Sequence, residues 1–325
     1  MSARTRVYSV VAVAIVAAVA AVLGVVLTGS GGSSRAAASA SPRGRPPLEL
    51  DLGVRTDPEA AALRKAYGLY SSGHPIQAER IFSGYHSVEA QVGAAMAAWP
   101  DGTLERLGQL AAAHPHSSVA RLNLGFALYW TGRKQQALGA WRQARSADPD
   151  TPAAVRAGDL LHPQYNRGLP TFVPSFGPPA GLSRLSPAKQ FQRLARSRSV
   201  RDLLLYGVAL QRLGRPLSAE RVFARAAARA PDDPDAQVAA AVGRFDKNHP
   251  ERAFSRLGPL TQRFPHAATV RFHLGLLLLW LGQVKEGERQ LRLATAVEPG
   301  SPLAREAAVF LRKLAPRNRS ARAAK

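Results

Sequence analysis

Apolar residues in most of this chain recur three or four positions apart, in short blocks separated by turns that contain Gly or Pro. Residues 200–231 hold two such blocks on either side of the turn "LGRP". The spacing predicts two amphipathic helices, and Pro231 ends the second because its ring cannot continue the backbone hydrogen bonds. The predicted buried faces consist of Leu203, Tyr206, Gly207 and Leu210 in the first helix and of Ala219, Phe223 and Ala226 in the second.

The pattern of this region occurs twice in the chain. The stretch "LGFALYWTGR" at 124–133 returns as "LGLLLLWLGQ" at 274–283, an offset of 150 residues. Upstream, "GHPIQAERIF" at 73–82 returns as "GRPLSAERVF" at 214–223, an offset of 141. The sequence therefore indicates an internal duplication, with about nine more residues between the two stretches in the second copy.

A shorter period of 34 residues lies inside the duplication, marked by Pro231, Pro265 and Pro299. A small residue on each helix, such as Gly207 facing Ala219, allows the two helices to approach closely. This pattern resembles the tetratricopeptide repeat, a helix–turn–helix unit of 34 residues. The resemblance implies an all-α, right-handed solenoid with two halves of three repeats each. The six predicted units lie near 59–85, 86–115, 118–149, 200–231, 234–265 and 268–299.

The N-terminus carries a long apolar segment. Arg4 and Arg6 precede Val7–Leu27, which is 21 residues without a charge and would span about 30 Å as a helix. Positive charge before the segment predicts residues 1–6 in the cytoplasm, a single transmembrane helix at 7–28 in the cell membrane, and the repeats outside the cytoplasm. The alternative is a secreted protein, since "AAASA" at 36–40 offers small residues for signal cleavage, although signal peptides usually have shorter apolar regions.

The rest of the chain divides by composition. We expect a flexible linker at 29–57, because its Gly, Ser, Pro and Ala residues bury little apolar surface. The first array with its capping helix occupies 58–161 and the second occupies 188–314, because an end repeat needs a cover for its apolar face. A basic tail follows at 315–325.

The connector at 162–187 is rich in Pro, which excludes a long helix, yet it contains Phe172, Val173 and Phe176. These residues are too apolar for a free linker. The sequence therefore favours docking of the connector on a repeat surface; a loosely packed loop is the alternative.

No motif for catalysis is present. The chain has no Cys, so disulfides, thiolate metal sites and a Cys nucleophile are excluded. Its eight His show no HExxH spacing, and phosphate-binding Gly-rich loops are absent from the sequence. We interpret Asp232, Asp233 and Asp235 as favourable charges at a helix start, and not as a calcium loop. We therefore expect no catalysis, no cofactor and no metal.

The resemblance implies a role in protein binding, because the first helices of tetratricopeptide units line a concave groove that holds a peptide or a partner helix. The sequence then predicts a membrane-tethered interaction scaffold for a protein or peptide partner. Aromatic and Arg side chains are the residue types that dominate binding energy at such surfaces. Carried over to this sequence, the groove residues are Tyr67, Tyr70, Met96, Trp99, Phe126, Tyr129, Arg201, Arg212, Phe245 and Phe272.

The net charge of +22 permits a second interpretation. The C-terminal "RKLAPRNRSARAAK" at 312–325 has six basic residues and no acid, so it could bind anionic lipid head groups or a wall polymer. Such binding would weaken as salt rises. A nucleic-acid partner is not favoured, because the repeats are expected outside the cytoplasm and the sequence has no recognised reading module.

Overall fold

The structure, a computed structural model, describes residues 44–323, with side chains up to residue 315. This part of the chain forms fifteen α-helices and no strand. In the first half the helices are α1 Pro58–Ser71, α2 Pro75–Phe82, α3 Val88–Ala97, α4 Thr103–Ala113, α5 Ser118–Trp130, α6 Lys134–Ala147 and α7 Pro152–Leu161. In the second half they are α8 Pro187–Arg196, α9 Val200–Arg212, α10 Pro216–Arg229, α11 Pro234–Val242, α12 Glu251–Arg263, α13 Ala268–Trp280, α14 Val284–Val297 and α15 Pro302–Ala323.

The helix starts follow local rules of the sequence. Several helices begin with Pro, whose missing N–H has no partner in a first helical turn anyway. The residue before it is often a side-chain cap. Asp57, Thr151 and Asp233 each accept a hydrogen bond from the backbone N–H three residues later.

The six predicted helix pairs are confirmed. α1–α2, α3–α4 and α5–α6 form the first array, and α9–α10, α11–α12 and α13–α14 form the second. The described residues divide into two compact units, one built on residues up to Pro163 together with Leu213–Arg215, the other on Gln164–Arg212 and from Pro216 onward.

The core of the first unit depends on close approach between the helices of a pair. A Cβ at Gly125 on α5 would lie 2.2 Å from Nε1 of Trp141 on α6, so only Gly fits there. Phe126 packs edge-on against the same indole, with ring centroids 6.0 Å apart. α7 packs on α5 and α6 and covers the end of the array, as the sequence predicts for a capping helix.

The second unit repeats this construction. A Cβ at Gly207 on α9 would lie 2.1 Å from the ring of Phe223 on α10. Leu203 and Phe223 are buried, as predicted. The apolar run "FHLGLLLLWLG" lies on and just after α13, which has 13 residues and is buried on most sides. α15 packs on α13 and α14.

The structure adds one helix that the sequence analysis did not assign. α8 precedes the second array, with Leu194 buried against Leu182 and Leu205 and with Phe191 against Tyr206. "SPAKQFQRLAR" carries the signal for it, a Ser–Pro start followed by apolar residues on one face.

One boundary predicted from the sequence needs correction. The predicted flexible linker at 29–57 is wrong for residues 45–52, which pack on the first array because Leu48 and Leu52 bury their side chains there. At the other end, α15 extends from Pro302 to Ala323 and so continues into the predicted basic tail at 315–325.

Between residues 44 and 323, no helix combines the length and the apolar character that a membrane crossing requires. The predicted span at 7–28 lies outside the described residues.

Candidate functional site

Each array holds a non-helical segment of its own chain across the first helices of its three pairs. We call residues 45–52 the first strap and residues 169–176 the second strap. The first strap reaches α1 through Tyr70, whose hydroxyl donates to the carbonyl of Pro46. It reaches α3 through Arg45, which donates to the carbonyl of Ala97 over 2.9 Å.

The contact of the first strap with α5 is made by Asn123, which is fully buried. Its Oδ1 accepts from the backbone N–H of Glu49 over 3.1 Å, and its Nδ2 donates to the carbonyl of the same residue over 2.8 Å. Nδ2 also donates to the carbonyl of Val119 one turn back on α5, which orients the amide. One side chain thus satisfies both backbone groups of a strap residue that no helix or sheet pairs.

The second strap makes the corresponding contacts in the second unit. Its Phe172 N–H donates to Oε1 of Gln211 on α9 over 3.0 Å. Ser175 donates through its backbone N–H and its hydroxyl to Oδ2 of Asp235 on α11. The connector therefore docks on the second array, and the Phe172 side chain is 1 % exposed.

His273 on α13 binds the centre of the second strap. Its Nε2 accepts from the backbone N–H of Val173 over 2.9 Å, and its Nδ1 lies 2.7 Å from the carbonyl of Thr269. These partners require the neutral imidazole with its proton on Nδ1. Burial lowers the pKa of His273 to about 4, and the ring stacks on Phe172 with centroids 5.1 Å apart.

The two straps occupy equivalent places in the duplicated sequence. Asn123 and His273 are 150 residues apart, the offset of the third and sixth units. Tyr70 and Gln211 are 141 apart, the offset of the first and fourth units.

The strap sequences themselves match at an offset of 124 residues. Pro46 and Pro170 are both buried, as are Leu48 and Phe172. In front of them, Gly44 and Gly168 have φ of 85° and 77°, a left-handed backbone that favours Gly. The duplicated block therefore includes a strap as well as three repeats.

Burial shifts other ionisable groups near the straps. It raises the pKa of the Tyr70 hydroxyl to about 12, so this group remains a donor at neutral pH. It lowers the pKa of Arg212 to about 10, which leaves the guanidinium charged at neutral pH. It also raises the pKa of Asp235, against the opposing effect of its hydrogen bonds from Ser175.

The predicted groove residues fall into three groups in the structure. Met96, Phe126, Phe245 and Phe272 are buried in the cores, where Phe245 packs on Trp280 and Phe272 on Phe310. Their role in partner binding stays a prediction.

Tyr70 and Arg201 contact a strap or its end. Tyr70 is buried under Pro46, and the guanidinium of Arg201 lies 5.0 Å from the centre of the Phe176 ring. Arg212 is partly buried.

The remaining groove residues belong to the first array and have exposed surface. Tyr67 is 40 % exposed on α1, and Trp99 follows α3 with its side chain half-buried. Tyr129 on α5 is half-buried and packs against the rings of Trp130 and Trp141. Of the predicted residues in the first array, Tyr67 therefore offers the most accessible surface, and in the second array Arg201 on α9 is exposed.

Sequence reasoning predicted the docking of the connector, which contains the second strap, but it missed Asn123, His273 and the first strap. The available signal was the motif Arg-Gly-x-Pro, which occurs at 43–46 and again at 167–170, each time followed two residues later by a large apolar residue. The positions of Asn123 and His273 inside otherwise apolar helix faces were a second signal. No cluster of three potential metal ligands occurs in the described part of the chain.

Comparison with known proteins locates one repeat directly. Residues 119–151 match the family model of the tetratricopeptide repeat, a range that covers α5 and α6 and ends at Thr151, the cap of α7. No curated protein matches the sequence.

Among solved structures, the chain is similar to a tetratricopeptide repeat protein from Parabacteroides merdae, at 14 % identity and a TM-score of 0.32, over 78 % of this chain and 98 % of that one. The match at 119–151 and the six helix pairs together support a tetratricopeptide-type helical repeat protein.

Proposed function

We propose that this protein is a membrane-tethered scaffold that binds a protein partner through the first helices of its repeats, without catalysis. A right-handed solenoid, a cytoplasmic N-terminus and repeats outside the cytoplasm are parts of the same proposal. One observation carries the binding role. In both units the first helices hold a non-helical segment through side chains bonded to its backbone.

This arrangement supports peptide binding for a physical reason. A segment without secondary structure has unpaired backbone N–H and C=O groups, and burying them without partners is costly. Asn123 and His273 supply those partners from within an apolar surface. A surface with this chemistry can accept an extended segment of any chain that also fills the apolar site of Leu48 or Phe172.

Site-directed crosslinking in the native membrane tests the proposal. A photoreactive residue at Tyr67 lies on the first helix of a pair, and one at Ile76 lies on the second helix at 68 % exposure. We expect a defined protein partner to be captured from position 67 and not from 76, with little loss at moderate salt. Equal capture at both positions, or none, contradicts the scaffold role.

The charge of +22 favours a second candidate, binding of an anionic lipid surface or wall polymer by the basic tail. Sedimentation with anionic vesicles or polymer distinguishes it, because that binding requires residues 315–325 and collapses as salt screens the charges. If partner capture is retained after truncation at residue 314, the basic tail is not the binding element and the groove is the remaining candidate.

The membrane tether is tested by the mass of the mature protein. The intact chain should be recovered from membranes with residues 7–28 present. A mass that corresponds to a chain beginning after residue 40 instead indicates signal cleavage and secretion.

A further inference from the structure

The first strap has the properties of a built-in ligand. Pro46, Leu48 and Leu52 are buried on the array, and Asp51 pairs with Arg215 over 2.6 Å, whereas Glu49 and Leu50 are partly exposed. Its backbone is held by Asn123 at both polar groups of Glu49. A contact made through backbone groups does not depend on which side chain the bound residue carries. The site is therefore selective only where side chains are buried or charged.

Besides Leu52 and the ion pair of Asp51, two features at the centre of the strap contribute to that selectivity in the first array. Pro46 and Leu48 are buried, which favours Pro and, two residues later, a large apolar residue. Arg156 on α7 then lies 3.5 Å from the carboxylate of Glu49, which favours an acidic residue at the next position.

The second array provides an internal comparison. Its strap has the same Pro and large apolar residue, Pro170 and Phe172, but Val173 stands where the first strap has Glu49. His273 is the equivalent of Asn123. It only accepts a hydrogen bond from the strap backbone, whereas the amide of Asn123 accepts one and donates another. The two sites thus share a frame and differ in the residue that follows the apolar anchor.

We propose that the first array binds, in place of its own strap, an extended segment of a partner protein with the pattern Pro-x-large apolar-acidic. The inference rests on the proposed scaffold function and names the partner chemistry of its first groove. The strap joins α1 through residues 53–57 only, so its short tether gives it a high effective concentration and makes it a competitor of the partner.

A synthetic peptide with the sequence of residues 44–54, "GRPPLELDLGV", is the probe. Binding of the labelled peptide to the full-length chain is followed by fluorescence anisotropy. Leu48→Glu should release the strap and lower the peptide Kd by about tenfold or more, because competition is removed. Phe172→Glu, the matched change in the second strap, should leave the Kd for this peptide unchanged.

Three further measurements test the pattern. Asn123→Ala in the Leu48→Glu background should abolish the gain. The same peptide with Ala in place of its Leu48 equivalent should bind at least about tenfold more weakly, and so should the second-strap peptide "GLPTFVPSFGP", which lacks the acid. The proposal is overturned if all three peptides bind equally well. It is also overturned if the Leu48→Glu variant keeps its helical fold but binds the peptide no more tightly than the wild type does.

Hydrogen exchange of the wild-type chain covers the case in which Leu48→Glu does not fold. If the strap can leave, amides of residues 45–52 exchange at least about tenfold faster than those of α5 under native conditions. If the strap amides and the α5 amides exchange at the same rate, through one common unfolding event, the proposal is overturned. Partner capture from Tyr67 that persists when the peptide fails would refute the pattern and leave the scaffold function standing.

Discussion

The neutral state of His273 makes the second unit sensitive to acid. Its pKa is about 4 in the folded protein, against about 6.5 for an unperturbed His. The unfolded chain therefore binds more protons between these values, and stability falls as pH falls from about 6.5 to about 4. Protonation at Nε2 would also remove the acceptor for the N–H of Val173.

The size of this effect follows from the two pKa values. Between pH 7 and pH 4.5, the unfolding free energy should drop by about 2 kcal/mol through His273 alone. Asp235 acts in the opposite direction, because its raised pKa favours the folded state at low pH. The change in unfolding free energy with pH in the wild-type protein therefore contains the contributions of both His273 and Asp235.

His273→Asn isolates the contribution of the imidazole. Asn123 occupies the equivalent position in the first unit and makes both hydrogen bonds without titrating, so Asn at 273 can keep the contacts to Val173 and Thr269. Urea unfolding of both full-length proteins at pH 7 and pH 4.5, followed by circular dichroism, measures the difference. We expect the variant to lose about 2 kcal/mol less than the wild type on acidification. Equal losses would refute the assigned geometry of His273.

Further predictions concern packing, capping and the straps. Gly125→Ala should destabilise the first unit by about 1–3 kcal/mol, because its Cβ would overlap Trp141. Gly139→Ala on the open face of α6 should instead stabilise the unit by up to about 1 kcal/mol. Thermal unfolding of both variants tests this pair, and equal shifts in melting temperature would contradict it. Asp233→Ala should cost about 1 kcal/mol through the lost cap of α11, and Asp232→Ala less than about 0.5 kcal/mol, since its side chain is 91 % exposed. Phe172→Ala should cost about 3–5 kcal/mol in the second unit, measured by urea unfolding, and a smaller loss than Gly125→Ala would argue against the docked strap.

The repeats were predictable because their signal is local and repeated. In two of the pairs a Gly is needed at the crossing, and Gly125 and Gly207 stand at the same sequence distance before the aromatic residue that each meets, Trp141 and Phe223. The closing Pro residues then mark the period. Periodicity of this kind needs no knowledge of distant contacts.

The contacts of the straps were not predictable in the same way, although the apolar residues of the connector indicated that the second strap docks. Glu49 and Asn123 are 74 positions apart, and Val173 and His273 are 100 apart, so no local pattern connects them. Composition is no guide here, because Pro and Gly around residues 42–47 are as typical of a linker as of a docked non-helical segment. Only the alignment of the two Arg-Gly-x-Pro motifs could have revealed a shared role.

The order of strap and array along the chain has a consequence for biosynthesis. Each strap leaves the ribosome before the helix that receives it, and α5 or α13 follows much later. Docking is therefore a late, long-range closure that waits for the third helix pair of each half. A nascent chain halted before residue 118 would contain the first two helix pairs but not α5, so Leu48 would stay exposed. We expect a chaperone to be needed most at that stage.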